Sequence, residues 1–475
     1  MNFLFYDVTF LVLFAVFVSL FLYKNRSKLK REGLLFLYKE SWGIKLINAV
    51  GKKYSKTLGI LSYVSIITGY ILMVSMFYLL GKIVYLYIRF PAVVKEIKIP
   101  PITPLVPYLP QILKLDFLPP FYFTYWILII AIIAISHEFS HGIFAAYNKI
   151  RIKSTGFGFF PFFLPIFLAA FVELDEKKMV KKKISSQLAI LSAGTFANVI
   201  TAIIFFGVIW IFFSLAFSPA GIIYDSYPYN VVGLSAMVSV NEINLGNANY
   251  ENALSLMNDD GLNKIKTDDG MQYVVTKNSF EEQKDKTGVV LYYDAPAVNA
   301  NLESVITKIN GEKITNVGEI EGELSKYSPG EKITLTVLDK DGTDYDKDVV
   351  LGENPINKKA WLGIVFYSQK KTGLVSSFYS ALSSFKKPNT YYQPRFYGFS
   401  IFIYNLLWWL ALISISVALV NMLPVGIFDG GRFFYLTVLA LTKSEQKAKK
   451  LFSFSTYLIL FIILILMVYW FISVF

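Results

Sequence analysis

Long uncharged stretches of apolar residues alternate along this chain with short basic loops and one acidic, polar region. About 20 residues are needed for a helix to cross the roughly 30 Å hydrocarbon layer of a bilayer. A shorter apolar piece, Gly430–Leu441, therefore predicts a half-helix or an interfacial helix. The longer stretches predict about six transmembrane helices, at about Tyr6–Tyr23, Leu58–Ile88, Phe121–Tyr147, Ser186–Phe217, Phe399–Leu423 and Leu451–Val474.

Basic residues in the loops predict how these helices are oriented. In a signal peptide the positive charge precedes the apolar stretch, whereas here it follows the first one, which predicts an uncleaved membrane helix. Residues 24–56 hold ten Lys+Arg against two Glu, residues 177–183 hold five Lys, and residues 443–450 hold four Lys. Loops rich in Lys and Arg mark the cytoplasmic side of a membrane protein. Residues 219–397 are therefore expected on the extracytoplasmic side.

Residues 221–360 have a different character, with 13 Lys+Arg against 23 Asp+Glu and short alternating strand patterns between Gly and Asn turns. From Gly288 to Leu338 the predicted order of strands, helices and turns resembles a PDZ domain. The stretch from Gly221 to Leu256 has a similar order. The predicted fold class is thus a polytopic α-helical membrane protein with an extracytoplasmic α+β insertion of one or two PDZ-like modules. One PDZ domain with an irregular insertion is the alternative.

The composition excludes several classes of protein. The chain of 475 residues is 55% hydrophobic and 17% charged, against about 45–50% and about 25% in soluble proteins, which excludes a wholly soluble protein. Because there is no cysteine, disulfides, thiolate metal sites and cysteine nucleophiles are excluded. The net charge of +12 comes from loops beside apolar runs and not from a basic stripe in a soluble segment, so no nucleic-acid partner is expected.

Both histidines of the chain lie near the end of the third predicted helix, in the segment His137-Glu138-Phe139-Ser140-His141. Positions i and i+4 share one face of a helix, so both imidazoles can reach one metal ion. Glu138 lies about 100° further round the helix, close enough to contact a water at the ion without binding the ion itself. The pattern predicts a zinc-peptidase site, in which the metal lowers the pKa of water and a glutamate accepts its proton.

A zinc site needs at least one more protein ligand, which must be Asp or Glu because the chain has no cysteine and no third histidine. Asp429 is the main candidate, since it follows the helix-breaking Pro424 and lies on the same predicted side of the membrane as His141. Asp429 could instead cap the helix that begins at Gly430, or it could fill both roles. Glu173 is the alternative third ligand.

Three motifs resemble the site-2 protease family of intramembrane zinc metalloproteases: His137–His141, the segment Ser192-Ala-Gly194-Thr-Phe-Ala-Asn198, and Asn421–Gly430. The resemblance implies that His137, His141 and Asp429 bind one Zn²⁺ and that Glu138 is the general base. It also implies that Asn198 and Asn421 hold the substrate backbone or the oxyanion. An Asn amide can donate to an oxyanion, and it can equally join two helices by a hydrogen bond.

Two further features bear on this resemblance. Thr195 stands where the family usually has proline, a departure that concerns helix geometry and no chemical group. The stretch from Gly156 to Glu173 resembles a membrane-entering hairpin of the family that offers a β edge to an extended substrate. From composition alone, an interfacial apolar loop explains this stretch equally well.

The resemblance implies hydrolysis of peptide bonds within or next to the transmembrane helix of membrane-anchored protein substrates, as in regulated intramembrane proteolysis. The PDZ-like modules are expected to contact or size-select the extracytoplasmic part of the substrate, and the active site is expected toward the cytoplasmic side of the cell membrane. A membrane metal transporter and a catalytically silent PDZ scaffold are the alternatives.

The predicted division of the chain follows these assignments. It comprises N-terminal membrane helices (1–120), the first part of the catalytic core (121–218), a possible first PDZ-like module (219–285), a PDZ-like module (286–360), a linker (361–397), the second part of the core (398–442) and a C-terminal membrane helix (443–475).

Overall fold

The computed structural model describes residues 3–32, 35–115, 117–159, 168–246, 248–284, 286, 288–339, 342–367 and 384–474. The chain forms two compact units. The first comprises Met1–Phe212 and Ile401–Phe475, and the second comprises Phe213–Ser400.

Apolar runs of the sequence become the long helices of the first unit, whereas the short helices of the second unit connect strands. The helices are α1 (Phe3–Lys24), α2 (Ile44–Lys53), α3 (Ser55–Arg89), α4 (Pro91–Ile97), α5 (Leu109–Ile112), α6 (Phe123–Tyr147), α7 (Glu176–Val180), α8 (Ile184–Ala216), α9 (Tyr250–Ser255), α10 (Lys277–Glu281), α11 (Pro296–Asn299), α12 (Val317–Leu324), α13 (Tyr397–Asn421), α14 (Asp429–Thr442) and α15 (Glu445–Val474). Among the described residues, six are long and apolar enough to cross a membrane, namely α1, α3, α6, α8, α13 and α15. The prediction of six spans is confirmed.

Helix α6 is packed on its neighbours by large side chains near its start. Tyr125, Trp126 and Ile129 are fully buried, and because lipid tails are as apolar as these side chains, their packing stabilises the helices through van der Waals contact. The first amides of a helix have no partner within the helix, and here α1 supplies one. Asp7 accepts hydrogen bonds from the backbone N–H of Phe123 (2.7 Å) and of Thr124 (3.0 Å). The two helices are thereby fixed to each other at the start of α6.

A small sheet lies beside α6, with strand order β1-β2-β3-β4. Its strands are β1 (Leu29–Glu32), β2 (Leu35–Glu40), β3 (Ile152–Phe159) and β4 (Leu168–Leu174). Strands β3 and β4 are the arms of the hairpin that the sequence predicts, and residues 160–167 between them lie outside the described residues. Gly156 allows β2 to approach, because a Cβ at this position would lie 2.0 Å from the carbonyl oxygen of Tyr38.

The second unit is built from two larger sheets and their helices. Its strands are β5 (Phe217–Ile223), β6 (Tyr229–Val232), β7 (Met237–Val240), β8 (Ile243–Asn244), β9 (Asn263–Thr267), β10 (Gln272–Val275), β11 (Val289–Tyr293), β12 (Val305–Ile309), β13 (Glu312–Lys313), β14 (Lys332–Leu338), β15 (Asp344–Val350), β16 (Gly352–Glu353), β17 (Ala360–Trp361) and β18 (Thr390–Pro394). One sheet has the order β6-β11-β10-β9-β7-β8, and the other has the order β15-β14-β12-β5-β18.

These two sheets exchange strands across the division predicted at residues 285 and 286. Strand β5, predicted to belong to the first module, pairs with β12 of the second. Strand β11, predicted to open the second module, pairs with β6 and β10 of the first. Strand β18 lies in the predicted linker and pairs with β5. Alternation of apolar residues predicts that a strand forms but not which strand it joins. The assignment of the modules as PDZ-like stays a prediction.

Candidate metal centre

The two histidines of α6 lie one turn apart and present the same nitrogen to a common point. His137 and His141 are both buried, and their Nε2 atoms are 3.1 Å apart. Asp429 joins them from the start of α14, with Oδ2 at 3.2 Å from Nε2 of each histidine. The three residues that the sequence predicts as metal ligands are thus brought together.

A break between two helices places Asp429 at this point. Helix α13 ends at Asn421, and the chain turns through Pro424 before α14 begins. The turn is tight, since a Cβ on Gly430 would lie 2.4 Å from the carbonyl carbon of Met422. Phe428 occupies the cap position of α14, with no side-chain hydrogen bond capping the helix. The Asp429 carboxylate contacts the two histidines. It does not cap α14, so the capping role considered from the sequence is not observed.

The three donor atoms fit a zinc ion. Donors about 2 Å from a metal at tetrahedral angles are about 3.3 Å from one another, close to the separations of 3.1 and 3.2 Å between the Nε2 and Oδ2 atoms. Three protein ligands would leave a fourth position open, as in catalytic zinc sites. Gly194 of α8 packs directly against both histidine rings. A Cβ there would lie 2.4 Å from Nε2 of His141 and 2.6 Å from Nε2 of His137.

The outer nitrogens of the two rings also have neighbours. His141 Nδ1 lies 2.7 Å from the carbonyl oxygen of Ile190, and His137 Nδ1 lies 3.0 Å from Nδ2 of Asn198. A metal-binding histidine characteristically donates its second ring N–H to such a group, which fixes the ring orientation. Asn198 is fully buried beside His137, whereas Asn421, the other predicted asparagine, lines an adjoining cavity.

That cavity has a volume of about 390 Å³ and reaches both His137 and Glu138. Its remaining walls are largely apolar and come from α6, β4, α13, the loop between α4 and α5, the turn before α14 and the first residue of α14, with the residues Leu105, Ile130, Ile133, Ala134, Ala169, Ala170, Ile413, Val417, Asn421, Ile427, Phe428 and Asp429. Glu138 Oε2 accepts a hydrogen bond of 3.0 Å from the backbone N–H of Val172 in β4. A backbone amide leaves no signal in the sequence, and this partner of Glu138 was not predicted.

Glu173, the alternative third ligand, lies among basic residues. Its carboxylate contacts Lys39 at 2.9 Å and Lys153 at 3.5 Å, and it accepts a hydrogen bond of 2.7 Å from Ser154. The hydrogen bonds from Ser154 and Lys39 hold the pKa of the Glu173 carboxyl at about 2. Within the described residues, the group that could hold a metal contains His137, His141 and Asp429 and does not include Glu173.

A known protein family matches most of this chain. The model of peptidase family M50 matches residues 125–466, which include the helices that carry the three candidate ligands. The chain belongs to peptidase family M50, the site-2 protease family. This M50 chain is accordingly a multi-pass membrane protein of a zinc metalloprotease family.

Two relatives of this M50 chain are similar over part of its length. An uncharacterised protein of Methanocaldococcus jannaschii is 32% identical over 203 residues, which are 41% of this chain and 48% of that protein. The zinc metalloprotease RasP of Shouchella clausii is 25% identical over 169 residues, which are 30% of this chain and 40% of that protein. The matched segments thus span less than half of either relative.

Proposed function

We propose that this chain is an intramembrane zinc metalloprotease that hydrolyses peptide bonds within or next to the transmembrane helix of membrane-anchored substrates. The observation that carries the proposal is the convergence of His137, His141 and Asp429 beside a cavity that is lined by His137, Asp429 and Glu138. Membership of the metalloprotease family and the likeness to RasP support the same activity.

The four residues divide the chemistry between them. His137, His141 and Asp429 would hold the zinc, which when bound polarises the scissile carbonyl and lowers the pKa of water. Glu138 accepts the proton of the attacking water and delivers it to the leaving amine. The hydrogen bond from the Val172 amide restrains the Glu138 carboxylate. Asn421 lines the cavity and is proposed to donate its amide to the carbonyl oxygen as negative charge develops there.

An extended substrate segment suits this site better than a helix does. A helical segment keeps its carbonyls in hydrogen bonds to the residue four positions later, so it must unwind before water can attack. Strand β4 ends the small sheet, and Ala169 and Ala170 of this strand line the cavity. The edge of β4 that has no strand partner among the described residues is proposed to pair with the unwound segment by strand addition, except at Val172, whose N–H is bonded to Glu138.

The sidedness follows from the charges of the loops. We infer that the basic loops are cytoplasmic, that the metal centre opens toward the cytoplasmic side, and that the second unit is extracytoplasmic. The second unit is then proposed to contact or size-select the extracytoplasmic part of the substrate, and cleavage to release a cytoplasmic fragment, as in regulated intramembrane proteolysis.

The test compares wild type with Glu138→Gln and Asp429→Ala, each purified in detergent and assayed for bound zinc and for cleavage of a single-span model substrate. We expect wild type to bind one zinc per chain and to cleave. Glu138→Gln should keep the zinc and lose about 10²-fold or more of the rate, and Asp429→Ala should lose both.

Other outcomes would overturn the proposal. Zinc without cleavage in wild type, together with metal flux in vesicles, would indicate a transporter. Zinc binding that survives in Asp429→Ala would exclude Asp429 as a ligand. Glu173→Gln is the matched carboxylate control, and we expect it to keep the zinc, because the Glu173 carboxylate is bound by Lys39 and Ser154.

A further inference from the structure

Asn198 is a buried polar side chain in the middle of the apolar helix α8. Its exposed fraction is 0%, and its Nδ2 lies 3.0 Å from Nδ1 of His137. Its other amide atom, Oδ1, has no hydrogen-bond partner among the described residues. Leaving a buried polar atom unpaired carries a free-energy cost that an apolar side chain would avoid, so the amide calls for a functional explanation.

The chemistry of a metal-binding histidine supplies one. Nε2 of His137 faces the other two candidate ligands, so it must carry a lone pair and no proton when it binds a metal. The proton of the neutral ring is then on Nδ1, which becomes a donor and needs an acceptor. His141 has the carbonyl oxygen of Ile190 for this purpose. The group that lies against Nδ1 of His137 is the Asn198 amide.

An amide can serve as donor or acceptor because its two ends have nearly the same shape. A half-turn about the Cβ–Cγ bond of Asn198 exchanges Oδ1 and Nδ2 without requiring more space. The oxygen then faces Nδ1–H of His137. The amide is also shielded from substrate, since Asn198 is fully buried and is not among the residues that line the cavity.

We infer that Asn198 is a positioning residue for His137 and does not contact the substrate oxyanion. Its Oδ1 accepts the Nδ1 proton of His137, which selects the ring tautomer that offers Nε2 to zinc and fixes the plane of the ring. This inference rests on the proposed metal site and replaces the role that the family resemblance implies for Asn198.

The first experiment measures zinc affinity by chelator competition on the full chain in detergent. Asn198→Leu keeps the number and branching of the side-chain heavy atoms and removes the acceptor, and we expect zinc to bind 10- to 100-fold more weakly. Asn198→Asp keeps an acceptor and creates a carboxylate–histidine pair, so we expect an affinity within a few-fold of wild type. Thr195→Val is the matched control, since Thr195 is buried on the same helix and, among the described residues, its hydroxyl donates to the Ser192 carbonyl oxygen of its own helix and not to the histidines.

The zinc measurement separates the possible roles. Wild-type affinity in Asn198→Leu combined with lost cleavage would overturn the inference and assign Asn198 to the substrate. Weak binding in Asn198→Asp as well would also overturn it, because the acceptor is then not what matters. If wild type binds no zinc, the proposed function itself fails.

A second measurement needs no variant at Asn198. The chain has only two histidines. Protein labelled with ¹⁵N-histidine and purified without a histidine tag therefore gives solid-state NMR spectra with signals from two rings. In the zinc-loaded wild type we expect both rings to carry their proton on Nδ1. The His137 Nδ1–H should also show the downfield proton shift of a hydrogen-bonded N–H, and a shift typical of an unbonded N–H would overturn the inference whether or not Asn198→Leu folds.

Discussion

Gly194 of α8 leaves no room for a side chain, because it lies directly against both imidazole rings. A Cβ at this position would come within 2.4 Å of His141 and within 2.5 Å of His137. We predict that Gly194→Ala displaces one or both rings and weakens zinc binding by at least 100-fold, measured by metal analysis after gel filtration. The chain should still fold, since alanine favours a helix more than glycine does.

The same helix provides the control for this substitution. Gly207 also lies in α8, and a Cβ there would have no neighbour within 4 Å. Gly207→Ala should therefore keep wild-type zinc content and cleavage. Equal zinc content in the two variants would contradict the packing of Gly194 against the histidines.

Among the elements, β4 lies beside the catalytic helix and donates one of its backbone amides to Glu138. The N–H of Val172 donates to Glu138 and not to another strand. Proline removes this donor and is tolerated in an edge strand where the N–H does not join the ladder. We predict that Val172→Pro keeps zinc but lowers the cleavage rate by about 10-fold or more, because the general base is no longer restrained.

Val172→Ala is the matched variant for that prediction. It removes the two γ-methyl groups of Val172 and keeps the backbone N–H. Cleavage should stay close to wild type in Val172→Ala, measured with the same substrate. A rate reduced equally in both variants would assign the effect to packing of the Val172 side chain, which lies close to Gly142 of α6.

How far the sequence predicts each element depends on where its partners lie. Helix α6 was predicted closely, because its apolar length and its His-Glu-x-x-His spacing are local features. Strands β1 and β2 were not predicted, since residues 29–40 carry charges and gain their order by pairing β2 with β3, more than 100 residues later. Asp7 likewise supports the start of α6 from another helix, a contact that no local pattern indicates.

At the scale of the whole molecule, the strand exchange in the second unit makes a prediction about folding. Residues 286–360, the predicted second module, contain β11 but lack β5 and β18, which complete the sheet around β12. Ile222 of β5 is fully buried against the core of that sheet. We predict that residues 286–360 alone are unfolded, whereas residues 213–400 fold and unfold cooperatively in urea, monitored by circular dichroism. A cooperative transition in the shorter fragment would contradict the exchange.

The absence of cysteine allows a direct test of the proposed sidedness. Lys181→Cys lies in a basic loop after α7, and Lys358→Cys lies in the second unit. We predict that a membrane-impermeant maleimide labels Lys358→Cys in intact cells and labels Lys181→Cys only in inside-out vesicles. The opposite labelling would reverse the orientation inferred from the loops.

Local sequence patterns are enough to predict the six apolar helices and the zinc-peptidase spacing of His137 and His141, and they leave Asp429 as one of a few carboxylates that could be the third ligand. These features depend on residues close together in the chain or on residue types too scarce to offer alternatives. Only the tertiary structure brought Asp429 within 3.2 Å of both histidines, placed Asn198 behind His137, and paired β5 with β12. These contacts depend on how distant segments pack, because a local pattern specifies which face of an element is apolar but not which element covers it.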